Sequence, residues 1–151
     1  MRAPALALIV ATLPLLAATA RAQDKADPPR KAADESAQKV KELQKQRIAT
    51  LKDLVDATTQ LYMGGRMEFS EAADSQAELL RAKLELAEKG PERIAIYKDA
   101  LENMTKLEKA AQARLAAGRG NMAASLNAKA KCLEIEIALE KETAKPAKEN
   151  K

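Results

Sequence analysis

Leu61-Tyr62-Met63-Gly64-Gly65-Arg66, with Ala73, Ala77, Leu80 and Leu84 after it, returns as Leu115-Ala116-Ala117-Gly118-Arg119, followed by Leu126, Ala130, Leu133 and Ile137. Gly65 and Gly118, Arg66 and Arg119, Leu80 and Leu133 each stand 53 positions apart. A period of this size marks a repeated supersecondary unit. Here the unit reads as a helix, a Gly-Arg turn and a second helix, because glycine supplies the left-handed conformation that ends a helix.

Outward from the two turns, four helices follow. Helix A is expected over about Asp34 to Tyr62, with Val40, Leu43, Leu51, Leu54 and Leu61 in one apolar column and Ile48, Val55 and Tyr62 beside it. Spacings of three, four and seven are those of a coiled-coil seam. Ser70 reads as the N-cap of helix B, whose stripe is Ala73, Ala77, Leu80, Leu84 and Ala87. Gly90-Pro91 stops helix B, and Pro91 suits the first turn of helix C. Helix C runs to Ala117 with Ile94, Tyr97, Leu101, Met104, Leu107, Ala111 and Leu115 on its stripe. Helix D, from Asn121 or Met122 to Glu142, is expected to turn Leu126, Ala130, Leu133 and Ile137 inward. Short turns force each pair to run antiparallel. The fold class is therefore all-α, two tandem antiparallel helical hairpins, coiled-coil-like, formed by four long helices.

Composition agrees. Aromatic residues make up only 2% of the chain, and Ala, Leu, Glu and Lys dominate, a mixture rich in helix formers and poor in strand formers. Arg2, the apolar run Ala5–Leu16 and the small-x-small pattern Ala20-Arg21-Ala22 read as a signal peptide over 1–22, cleaved after Ala22. A flexible lead-in is expected over 23–33, the four-helix domain over 34–143 and a disordered polar tail over 144–151. The expected location is the periplasm or cell envelope, with membrane contact only through the signal peptide or a membrane-protein partner.

The phrase Leu61-Tyr62 … Gly65-Arg66, continued by Leu79-Leu80, Ala82, Leu84 and Leu86-Ala87, resembles the helical hairpins of TolC-type outer-membrane efflux proteins. The resemblance spans Leu61 to Glu88 and again Arg114 to Lys141. It implies a glycine turn at the tip of a long antiparallel coiled coil. That family also carries strands that build a membrane barrel, and this chain shows no such β-pattern. The resemblance thus implies the hairpin module without its channel.

Few residues suggest chemistry. There is no histidine to serve as a general base, and the serines Ser36, Ser70, Ser75 and Ser125 read as caps or surface residues. Glu136 and Glu140 share a helical face, but Lys129, Lys131 and Lys141 neighbour them, which reads as intrahelical pairing instead of a metal site. No catalytic residue, cofactor or metal ligand is assigned. The formal charge of +4 is interspersed with acid instead of gathered into one stripe, so no nucleic-acid partner is expected. Gly65, Arg66, Gly118 and Arg119 are the candidate partner-binding tips, although an arginine after a helix end also favours the helix dipole. Cys132, the lone cysteine, reads either as a small core residue or as an intermolecular thiol. The expected function is an exported, non-enzymatic interaction or scaffold protein that meets a protein partner or itself through helical stripes. The alternative is a periplasmic holdase chaperone.

Overall fold

The computed structural model describes residues 28–145; the expected signal peptide, the lead-in before Pro28 and the tail beyond Lys145 lie outside them. All regular structure among the described residues is helical: α1 (Pro28–Met63), α2 (Phe69–Leu86), α3 (Gly90–Ala116) and α4 (Met122–Thr143). At 1.5 Å per residue, the 36 residues of α1 extend about 54 Å and the 18 of α2 about 27 Å.

Three boundaries differ from expectation, the first being that α2 ends at Leu86 with Ala87 as its C-cap, short of Gly90-Pro91, which instead open α3. Among the described residues α1 already runs from Pro28, ahead of the expected start near Asp34, so residues 28–33 of the expected lead-in are helical. Ser70 does not cap α2: Glu68 holds the N-cap position without a side-chain hydrogen bond, and Phe69 begins the helix. Phe69 is buried, which fixes the entry of the chain by packing where a cap would otherwise do so.

Helix α1 packs along α2 with partners in opposite order: Thr58 meets Ser75, Arg47 meets Glu85, and Lys41 meets Glu88. The turned-in column of α1 is Ile48, Leu51, Val55, Thr58 and Tyr62, with Leu79 and Ala82 of α2 against Leu51 and Val55. Leu43 and Leu54 point away from it and are exposed. Residues 32–43 are all exposed, so the first turns of α1 project beyond the end of α2.

Thr58 and Ser75 correct the surface reading of Ser75. Their hydroxyls lie 2.7 Å apart in the buried α1/α2 seam. Each also lies within reach of a carbonyl of its own helix, Thr58 of Val55 and Ser75 of Ala72; with one proton apiece, one hydroxyl donates to the other, and the one that accepts donates to its own carbonyl. Both polar groups are thereby satisfied inside the seam, which removes the cost of burying them.

A second cluster joins α2, α3 and α4 around Leu107, which is fully enclosed, with Met104, Ala111, Phe69, Ala128 and Ile135. Helix α3 packs as its stripe predicts. Helix α4 does not. Ala128, Cys132 and Ile135 face the core, while Leu126, Leu133 and Ile137 are 59%, 47% and 54% exposed and Ala130 is also open. In α2 the same correction applies to Ala77, which is exposed, and to Leu79 and Ala82, which are buried. The periodicity was real in both helices, but each has apolar residues on more than one face, and spacing alone does not say which face is turned in.

Arg93 at the start of α3 closes the far end. It donates to the Leu84 carbonyl in the last turn of α2 at 3.2 Å and pairs with Glu142 of α4 at 3.2 Å. Glu142, nearly enclosed, also pairs with Lys145 at 2.8 Å. The hydrogen bond from Lys145, more than the charge of Arg93, holds its carboxyl below the ordinary range against the opposing effect of enclosure.

The two faces of α4 are separable by experiment. Ile135→Ala, on the buried face, should cost about 2–5 kcal/mol in chemical denaturation, the range for emptying a large aliphatic core site. Leu133→Ala, measured at low protein concentration, should stay within about 0.5 kcal/mol.

Candidate functional site

The two Gly-Arg turns are built alike. Gly65 takes φ +72° and Gly118 φ +67°, the left-handed region open to glycine at no steric cost. Around the first, the Gly65 N–H donates to the Tyr62 carbonyl at 2.9 Å and the Arg66 N–H to the Leu61 carbonyl at 2.8 Å. Around the second, Gly118 donates to Leu115 at 3.0 Å and Arg119 to Arg114 at 2.9 Å. This is the Schellman pattern, in which a left-handed glycine and its successor close the last carbonyls of a helix. The backbone N–H groups of Arg66 and Arg119 are thus committed to the caps.

Their side chains are not. Both arginines are exposed, and neither forms an ion pair among the described residues. Arg119 borders a shallow depression shared with Met63, Lys106 and Arg114, and Met63 is half exposed there. Cation and thioether thus stand together beside the turn.

Arg114 was not singled out by the sequence, and it is what brings the two turns together. Its guanidinium donates to the Tyr62 carbonyl at 2.9 Å, the same oxygen that accepts from Gly65. Its Cζ also stands 4.8 Å from the centroid of the Tyr62 ring, a cation–π distance. Tyr62 in turn meets Phe69 edge to face, with centroids 5.8 Å apart. Burial raises the pKa of the Tyr62 hydroxyl, with Arg114 opposing and Glu68 adding to the shift. The one signal for Arg114 in the sequence is a broken repeat, because its equivalent 53 positions earlier is Leu61.

Gly120 has a different role from Gly118. A Cβ placed on it would lie 2.9 Å from the Leu115 nitrogen and 3.0 Å from the Arg114 carbonyl carbon. The second turn therefore closes too tightly for any side chain there. Asn121 then caps α4, its Oδ1 accepting from the Ala124 N–H at 2.7 Å.

Cys132 lies in the core cluster at 5% exposure. Burial, then the neighbouring Glu108, push its thiol up to about 11. An enclosed sulfur with a raised pKa is held back from thiolate chemistry. Gly65, Arg66, Gly118 and Arg119 gather at one end of the molecule, and Cys132 is apart from them, inside.

Arg114→Leu, which installs the first unit's residue in the second, should lower stability by about 1–3 kcal/mol in denaturant titration, the cost of losing a charge-assisted hydrogen bond. Cys132 should resist a thiol reagent at pH 8 until denaturant is added. Its folded value lies above the ordinary 9.0, so its contribution to stability is complete below pH 9 and is lost as pH rises towards 11. Cys132→Ala should remove that alkaline loss from a pH series of melting curves. Comparison of the chain with protein-family models, with characterised proteins and with solved structures finds no match in any of the three.

Proposed function

We propose that the four helices form two tandem antiparallel hairpins and that the chain is an exported, non-enzymatic interaction or scaffold protein. The supporting observation is that apolar residues stand open on both helices least covered by others. Val40, Leu43 and Leu54 do so on α1, and Leu126, Leu133 and Ile137 on α4. Patches of this kind on a folded surface mark sites of protein contact. The opposite order of partners along α1 and α2, and the matched Schellman turns, support the hairpin reading. In this reading the module corresponds to the coiled-coil hairpins of TolC-type efflux proteins without their barrel. Its residence in the periplasm or cell envelope rests on the signal-peptide pattern at 1–22.

Arg66 and Arg119 are the anchors proposed for a protein partner, since both are exposed and arginine is enriched among the residues that anchor interfaces. The double variant R66A/R119A should keep its helicity and melting temperature while losing a partner recovered by co-purification. Loss of stability with the partner retained would make the two arginines caps alone. A holdase activity is the second reading, favoured by the exposed arm of α1 and the open apolar faces. Suppression of light scattering from an aggregating client would support it over a single stoichiometric partner.

A further inference from the structure

We propose that α4 of one copy docks on α1 of a second copy, repeating between chains the contact that α2 and α3 make within one. The inference rests on the double-hairpin reading, and it comes from laying the two units over each other at their 53-residue offset.

The seam within each unit is the same in both. Ser75, Leu79 and Ala82, which face α1, correspond to Ala128, Cys132 and Ile135, which face α3, and all six are buried. The seam between units is different. In the first unit, Phe69 and Ala73 of α2 are each 5% exposed, within the cluster that holds Tyr62 of α1 together with Met104, Leu107 and Ala128 of the second unit. Their equivalents on α4, Met122 and Leu126, are 60% and 59% exposed. Leu80 and Leu84 are partly covered, and their equivalents Leu133 and Ile137 are open.

The complementary half lies on α1. Ile96, Ala100, Asn103 and Leu107 form the α3 face that meets α2, with Leu107 at 0% exposure. Subtracting the offset gives Leu43, Arg47, Thr50 and Leu54, all exposed, Leu54 at 44%. The two uncovered faces of the molecule are thus the two halves of an interface that the chain already makes once. A repeat protein whose end units lack polar outer faces leaves its stacking surface unsatisfied, and a second copy supplies the missing neighbour.

Chemistry fits at the mapped positions. Arg93 touches Leu84 in the chain; the mapped pair is Val40 on Ile137, apolar on apolar. Lys83 pairs with Asp99 at 3.6 Å; the mapped pair is Gln46 and Glu136, an amide that can donate to the carboxylate. Leu133 falls beside Leu43 and Arg47, and Met122 and Leu126 beside Leu54. The contact is heterologous, one face against a different face, so it either closes into a ring or propagates.

The test is sedimentation equilibrium of the purified protein over about 1 µM to 0.5 mM. It uses wild type and two variants, L43K/L54K on α1 and L126K/L133K on α4, each checked for helicity; glutamine replaces lysine in any variant that loses it. Wild type should exceed one chain in mass as concentration rises, while each variant should stay at one chain. An equimolar mixture of the variants should form a two-chain species and nothing larger, since each retains the face the other lacks. An L43K/L54K variant that still associates like wild type would overturn the proposal in favour of an α4-to-α4 pairing. A wild type that stays at one chain throughout, or a mixture that does, would overturn it outright. A one-chain wild type that still captures its partner through Arg66 and Arg119 defeats only this contact; self-association without capture defeats only the recruiting role.

Discussion

Two backbone angles, φ +72° at Gly65 and φ +67° at Gly118, determine where the helices after them can go. A residue with a Cβ would resist that left-handed turn by about 1–2 kcal/mol, and the helix before it would tend to continue or fray. With glycine in place, the Schellman bonds close the helix ends and let the chain change direction. The seams then form between whichever faces pack most closely, and the buried Thr58–Ser75 pair fits because both hydroxyls find partners there. Arg114 adds the one link that no repeat requires, joining the first turn's carbonyl to the second unit.

The core is built from modest parts. Alanine at Ala72, Ala73, Ala111 and Ala128 lets helices approach closely but buries little apolar area for each residue. Long side chains close the ends instead. At one end Arg114 spans from α3 to the first turn, and at the other Arg93 spans α2 and α4 through Leu84 and Glu142. Guanidinium suits both places, because its fixed fork can serve a carbonyl or carboxylate while its stem lies along apolar surface.

Much of the fold was legible in the sequence. The offset between Gly65 and Gly118 located both turns, and Gly90-Pro91 located the start of α3. The stripe of α3 was read correctly because only one of its faces is continuously apolar. The orientation of α4 was not legible, because Leu126, Leu133 and Ile137 repeat with a spacing as good as that of Ala128, Cys132 and Ile135. The larger residues suggested the core, yet the smaller ones face α3, where close approach favours them. Phe69 hid between the turn and an apparent serine cap. Arg114 was illegible for a different reason: its partner lies 52 residues away, a juxtaposition only tertiary structure creates. Of the candidate site, the exposure of Arg66 and Arg119 follows from their place after a capping glycine, whereas the enclosure of Cys132 depends on which face of α4 turns inward.

The tight closure at Gly120 gives the two units an order. Gly120 corresponds to Met67 in the first unit. Transplanting the first turn's sequence into the second would drive a methionine side chain towards the backbone of Arg114 and Leu115, where even a Cβ has no room. Exchange in the other direction meets no such obstacle at that position, because glycine fits wherever methionine does. The halves of the chain share a plan but are not interchangeable parts, and at this turn the asymmetry resides in a single missing side chain.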